Sequence, residues 1–127
     1  MRILVAEDDG AIIEVMHIIL EGEGHEVLHA MTEKDIMALT SEKKPQLLFL
    51  DISLGADDGG KITSRIKKSF TDYYLPIIII SANTQTAKIA KKSGADGFLL
   101  KPFDIEELLN LVEKYDHTTQ KKIGVDI

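Results

Sequence analysis

The sequence predicts a doubly wound α/β domain, a five-stranded parallel sheet with helices on both faces. Short unbroken apolar runs recur along the chain, amphipathic stretches separate them, and Gly or Pro punctuates the junctions. Continuous rather than alternating apolarity marks strands covered on both faces, as parallel sheets require. Five β-α units in succession then dictate right-handed crossovers, with helices on either side of the sheet.

The strands are read at Ile3–Ala6, Glu26–Ala30, Leu47–Leu50, Ile77–Ile80 and Phe98–Leu100, the second being the least apolar. Pro76 heads the fourth, where a missing donor is tolerated. The first helix is expected from Gly10 to Glu21. Its stripe is Ile12, Val15, Met16, Ile19 and Leu20, with Gly22 and Gly24 as stops. The second opens at Thr32 as N-cap and packs through Ile36 and Leu39 before Pro45. The third follows Gly59-Gly60, turning Ile62 and Ile66 inward and Lys61, Arg65, Lys67 and Lys68 outward. The fourth, Thr84 to Ser93, is poor in large apolar residues, has Ile89 as its main anchor, and ends at Gly94. The fifth opens at Asp104 with Glu107 three residues on, a capping-box-like pair, and its stripe is Ile105, Leu108, Leu109 and Val112.

Composition narrows the function. The 127 residues carry 15 Lys+Arg against 21 Asp+Glu, a net charge of −6, and 44% are hydrophobic. That suits one domain and argues against disorder. The absence of cysteine excludes disulfide scaffolds, zinc fingers and thiol nucleophiles. No apolar run approaches the roughly 18 residues of a membrane span. Met1 to Leu4 leads straight into a strand, leaving no room for a signal peptide. A soluble cytoplasmic protein is expected, without membrane attachment. The acidic balance argues against direct nucleic-acid binding.

In such sheets chemistry sits outside the carboxyl ends of the strands. Glu7-Asp8-Asp9 ends the first strand, Asp51 the third, Ser81-Ala82 the fourth and Lys101-Pro102 the fifth. Three or four carboxylates, a hydroxyl and an ammonium thus converge. Two carboxylates about 4–5 Å apart repel by about 3–4 kcal/mol at an effective dielectric of about 20, and Lys101 offsets only one charge. A hard divalent cation in an all-oxygen site, Mg²⁺ before zinc or copper, relieves the rest. A metal beside an accessible carboxylate, a lysine and a hydroxyl is equipment for phosphoryl transfer, and the small Ala82 leaves space for the incoming group. Taken singly, Asp9 reads as a helix cap, and the serine and the Lys-Pro pair as turn residues. Their joint placement at the ends of strands one, three, four and five carries the functional reading.

The motifs Ile3-Leu4-Val5-Ala6-Glu7-Asp8, Leu48-Phe49-Leu50-Asp51-Ile52-Ser53-Leu54, Ile80-Ser81-Ala82 and Gly94-Ala95-Asp96-Gly97-Phe98-Leu99-Leu100-Lys101-Pro102-Phe103 resemble the receiver domain of two-component response regulators, the family that includes the chemotaxis receiver protein. The resemblance covers about residues 1–115, leaving 116–127 as a tail or the start of a linker. It implies the flavodoxin-like strand order 2-1-3-4-5. It makes Asp51 the phosphoacceptor, served by a phosphohistidine on a sensor histidine kinase or a histidine phosphotransfer protein. Asp8 becomes a direct Mg²⁺ ligand, Glu7 one acting largely through water, and Ser53 a ligand through its backbone carbonyl; Mn²⁺ can substitute. Lys101 bridges to Asp51 or its phosphoryl group. Ser81 is the switch hydroxyl and Phe98 the aromatic that turns inward with it, while Ser53 and Asn83 tune phosphoryl lifetime. The Lys101-Pro102 peptide is implied to be cis.

The resemblance further implies no enzyme activity beyond the domain's own phosphorylation and dephosphorylation. It implies an output partner at the face of helix four, strand five and helix five, and a monomer or a phosphorylation-linked dimer. Basic helix four (Lys88, Lys91, Lys92) and acidic helix five (Glu106, Glu107, Glu113) can pair across such a dimer. Three departures stand out. Gly55 replaces a common proline in a loop made acidic by Asp57 and Asp58, the switch aromatic is Phe98 rather than tyrosine, and Ser81 replaces the commoner threonine.

Rivals fit less well. A flavodoxin-like electron carrier needs a Ser/Thr/Gly phosphate loop where this chain has Glu7-Asp8-Asp9. A haloacid-dehalogenase-type phosphatase carries a second Asp where this chain has Ser53. A degenerate receiver would lack part of the acid, Asp, Ser and Lys set. The short tail, ending Gly124-Val125-Asp126-Ile127, favours a stand-alone receiver over a piece of a larger regulator with DNA-binding or enzymatic output. His17, His25, His29 and His117 show no metal-ligand spacing or carboxylate partner and read as surface or packing residues. Lys67-Lys68, Lys91-Lys92 and Lys121-Lys122 read as solvated faces.

Overall fold

The apolar runs become five strands: β1 (Arg2–Ala6), β2 (Glu26–Ala30), β3 (Leu47–Asp51), β4 (Ile77–Ser81) and β5 (Gly97–Leu100). Between and after them lie α1 (Gly10–Gly22), α2 (Glu33–Lys43), α3 (Gly59–Ser69), α4 (Thr86–Ser93) and α5 (Ile105–Tyr115). The computed structural model describes residues 1–54 and 59–116. Gly55, Asp57 and Asp58 of the acidic loop, His117, Lys121, Lys122 and the chain end lie outside the described residues. The strands pair in parallel in the order β2-β1-β3-β4-β5, as expected.

Strand alternation sends side chains to two cores. Ile3, Val5, Phe49, Ile78, Ile80 and Leu99 pack on Met16 and Leu20 of α1 and on Leu108, Val112 and Tyr115 of α5. The opposite face packs Leu4, Ala6, Leu48, Leu50 and Ile77 on Ile36 of α2 and on Ile62 and Ile66 of α3. The helix ends follow local chemistry. Asp9 accepts from the Ala11 and Ile12 amides, Thr32 from Asp35 and Asp104 from Glu107, so each expected N-cap is in place. Gly94, at φ 86°, closes α4 in the left-handed region that glycine reaches without strain.

Several expectations are corrected. Val15 is 49% exposed: Met16 and Leu20 face the sheet, and the next residue round a helix points about 100° away. Ile105 is 57% exposed because it opens α5, and the buried stripe begins one turn later at Leu108. α4 begins at Thr86 rather than Thr84, since Asn83 holds a turn instead: its Oδ1 accepts from the Gln85 amide at 2.7 Å and its carbonyl from the Thr86 amide at 3.1 Å. The buried residues of α4 are Thr86 and Ala90, with Ile89 only half-buried. Lys67 does not point outward. Its Nζ donates to the Leu75 carbonyl at 2.9 Å and to Asp96 Oδ2 at 2.7 Å. His17 does have a carboxylate partner, Glu21 one turn on, at 3.1 Å.

Candidate phosphoryl-acceptor and metal site

Register places the site. Ala6 lies opposite Leu50, Asp51 opposite Ile80 and Ser81 opposite Leu100, so the chain leaves four strands along one edge. The exits of β1, β3 and β5 are each held by one further ladder bond: the Glu7 amide to the Ala30 carbonyl (3.2 Å), Ile52 to Ile80 (3.0 Å) and Lys101 to Ser81 (2.9 Å). Asp51 and Ser81 are themselves the last residues of β3 and β4, so strand pairing fixes their Cα positions.

One carboxylate oxygen from each of Glu7, Asp8 and Asp51 lies within 4.8 Å of the other two. Asp8 is exposed, whereas Glu7 and Asp51 are buried, Glu7 to 1% exposure. Asp9, the fourth expected carboxylate, is spent capping α1. Glu7 is held on every side. Its Oε1 accepts from the Asp8 and Asp9 amides at 3.2 and 3.1 Å, and its Oε2 from Lys101 Nζ at 3.2 Å. Burial raises its pKa above the ordinary carboxylate value, and the neighbouring Asp51 carboxylate pushes the same way. Lys101 Nζ stands 3.6 Å from Asp51 Oδ2, nearer to Glu7 than to the expected partner. The Lys101-Pro102 peptide is cis.

Ser53 bonds Asp51 directly: its Oγ donates to Oδ1 at 3.2 Å and its amide to the same oxygen at 3.3 Å. The buried Ser81 hydroxyl accepts from the Asn83 amide at 2.9 Å. Phe98 stands 40% exposed on β5. Ala82, Lys101, Pro102 and Phe103 line one side of a cleft of about 440 Å³, closed on the other by Ala11, Ile12 and Val15. The mis-assigned Val15 is therefore a wall residue beside the site.

Two supporting residues escape a sequence reading. His29 Nε2–H donates to the Glu7 carbonyl at 3.1 Å, and no spacing links positions 22 apart, one on β2 and the other just past β1. Gly59 starts α3 against the acceptor loop: its amide bonds the Ile52 carbonyl at 2.7 Å, and a Cβ there would lie 2.5 Å from Ile52 Cα. The Gly59-Gly60 doublet signals a helix start, but not this close approach.

The donor set suits a hard divalent cation, being all oxygen, crowded and short of positive charge. A parallel doubly wound sheet with an acidic pocket, a buried aspartate and a lysine along its carboxyl edge defines the class of open α/β domains whose site lies beyond the strand ends. Comparison with known proteins makes this specific. The response regulator receiver domain profile matches residues 3–113, and the chain belongs to that family. It is 34% identical over 110 residues to the DNA-binding dual master transcriptional regulator RpaA of Synechocystis sp., covering 85% of this chain and 46% of that protein. It is 33% identical over 113 residues to Protein PilH of Pseudomonas aeruginosa, covering 87% and 93% of the two chains. The chain thus spans about half the length of the first relative and nearly all of the second. A CheY-like response regulator receiver domain protein from Methanospirillum hungatei JF-1 superposes with a TM-score of 0.81 at 28% identity, over 94% of this chain and 97% of that one. Among the described residues no helix is long and apolar enough to cross a membrane.

Proposed function

We propose that residues 1–115 act as the cytoplasmic phosphoacceptor receiver of a two-component phosphorelay, with Asp51 as the residue phosphorylated. The observation that carries this is Asp51 itself, buried at the end of β3 with Lys101 Nζ 3.6 Å away and the Glu7 and Asp8 carboxylates gathered beside it. An Asp51 oxygen attacks the phosphorus of a phosphohistidine on a sensor kinase or histidine phosphotransfer protein. The P–O bond forms as the P–N bond breaks, and the leaving imidazole takes a proton. Lys101 steadies the charge gathering on the phosphoryl oxygens, and the small Ala82 leaves them room. Glu7, Asp8, Asp51 and the Ser53 carbonyl would hold Mg²⁺ or Mn²⁺, which supplies charge neutralisation to the transferring group.

The new charge of about −1.5 to −2 draws the Ser81 hydroxyl away from the Asn83 amide. Asn83 also holds the first turn of α4, so α4 loosens on the same event and Phe98 turns into the vacated space. The face of α4, β5 and α5, where Phe98, Leu100 and Ile105 already stand exposed, is thereby remade for an output protein. Ser53 and Asn83 border the phosphoryl position and set its lifetime. The chain acts on no substrate but its own aspartate. The same unit serves a stand-alone receiver, for which the match along PilH speaks, or a longer regulator, for which RpaA speaks.

Intact mass after incubation with a small phosphodonor and Mg²⁺ tests the assignment. Wild type gains one phosphoryl group and Asp51→Asn gains none. No gain in wild type, or an equal gain in the variant, overturns it.

A further inference from the structure

Charge on this chain is segregated by helix. α3 carries Lys61, Arg65, Lys67 and Lys68, α4 carries Lys88, Lys91 and Lys92, and neither helix holds an acidic residue. These supply nearly half of the 15 Lys+Arg in a protein of net charge −6. Arg65 is committed to Glu33 through two bonds of 2.6 Å, and Lys67 to Asp96. The remaining lysines of the two helices have no ion-pair partner among the described residues.

The helices meet along a seam where Ser64 Oγ donates to the Ser93 carbonyl at 3.2 Å. A cleft of about 310 Å³ opens there, lined by Gly60, Lys61, Ser64, Ile89, Lys92 and Ser93. Its floor is the half-buried Ile89 and the buried Gly60, and its rims are the exposed Lys61 and Lys92. We propose that this α3–α4 cleft docks an acidic α-helical segment of a protein partner, seating one aliphatic side chain against Ile89 and carboxylates against Lys61 and Lys92.

The chemistry favours that occupant. An apolar floor between cationic rims matches a helix whose aliphatic residue is flanked by glutamates one turn to either side. Exposed rim lysines add attraction and orientation at little desolvation cost. A nucleic-acid backbone needs a longer basic track than one seam, and the chain's net charge opposes a long polyanion. The cleft shares α4 with the output face described above but has α3, not β5 or α5, as its other wall. Docking requires no phosphoryl group, so its test stands apart from that of the phosphoacceptor reading.

The probe is a synthetic helical peptide with a central leucine flanked by glutamates one turn away, titrated into the isotope-labelled full chain. Amide shifts centred on 61–64 and 88–93 are expected, with affinity falling as salt rises. Lys61→Glu with Lys92→Glu should weaken binding at least about tenfold, whereas Lys34→Glu on α2 should leave it within about twofold. The proposal is overturned if the peptide does not bind or if a glutamine-substituted peptide binds equally well. Shifts elsewhere, or an unaffected double variant, overturn it too. A short DNA duplex binding the same amides as tightly would reassign the cleft to nucleic acid.

Discussion

The two ends of the sheet each gather carboxylate and lysine, and they differ in how completely the charge is answered. At the amino end Asp96, between α4 and β5, is saturated. Its Oδ2 accepts from Lys67 Nζ and the Ile77 amide, both at 2.7 Å, and its Oδ1 from the Tyr74 hydroxyl at 3.1 Å. Its backbone is used as well: the amide bonds the Ile77 carbonyl and the carbonyl accepts from Tyr115. At the carboxyl end Lys101 pairs with both Glu7 and Asp51, and the Asp8 carboxylate gathers beside them. A saturated cluster ties α3, β4 and α5 together and has nothing left to offer a ligand. An unbalanced one is held in place by the fold around it, and its crowded carboxylates are what the proposed cation and phosphoryl chemistry would draw on.

The sharpest way to break this comparison is to remove one carboxylate from each end, because the stabilities should move in opposite directions. Asp96→Ala removes the ion-pair partner of Lys67, leaving it the Leu75 carbonyl, and leaves the amide of buried Ile77 without its acceptor, which should cost about 3 kcal/mol. For a domain of this size that lowers Tm by roughly 10–20 °C, measurable by thermal or urea unfolding. A loss below about 1 kcal/mol would mean that Asp96 is not the tie described.

At the other end, Asp51→Asn in chelator should stabilise by about 1 kcal/mol, since it relieves repulsion from Glu7 and Asp8. Mg²⁺ at ten times its Kd should then stabilise wild type by about 1.4 kcal/mol and the variant by less, closing or reversing the gap. Urea unfolding of both proteins with and without Mg²⁺ measures this. A destabilised Asp51→Asn in chelator would contradict the charge imbalance.

The same contrast explains what was legible in the sequence. Strand ends project their next residue to a known edge, so Glu7, Asp8, Asp51, Ser81 and Lys101 could be gathered from order alone. The helix caps were legible because capping is local chemistry between residues two or three apart. Asp96 was visible only as part of a motif. Its partners Lys67, Tyr74 and Ile77 come from α3, the following loop and β4, and no periodicity connects them. Lys67 was misplaced for the same reason, since a lysine on a basic helix looks solvated until the carboxylate below it is known. Val15 and Ile105 failed differently: helical period identifies a stripe but not how far around or along the helix the sheet reaches. Gly59 shows a third kind of gap, where the need for glycine arises from Ile52 of another segment.

The smallest expected effect concerns how far the Asp96 charge is felt beyond its own bonds. Desolvation of the hydroxyl first, and the Asp96 carboxylate second, push Tyr74 up from 10.0 to about 12, although the residue as a whole is 57% exposed. A folded-state value above the unfolded one means the associated stability is complete below pH 10 and is lost as pH rises through about 12. Tyrosinate absorbance, with Tyr74→Phe subtracted to isolate this residue from Tyr73 and Tyr115, reads the midpoint. Asp96→Asn keeps a hydrogen-bond acceptor and removes the charge, so it should lower the midpoint only part of the way, desolvation being the larger cause. A full return to 10.0 would show that the Asp96 charge, despite Lys67 and the Ile77 amide, still acts on its neighbours. The amino end would then be no better neutralised than the carboxyl end, and the difference between them would have to come from access to solvent rather than from charge.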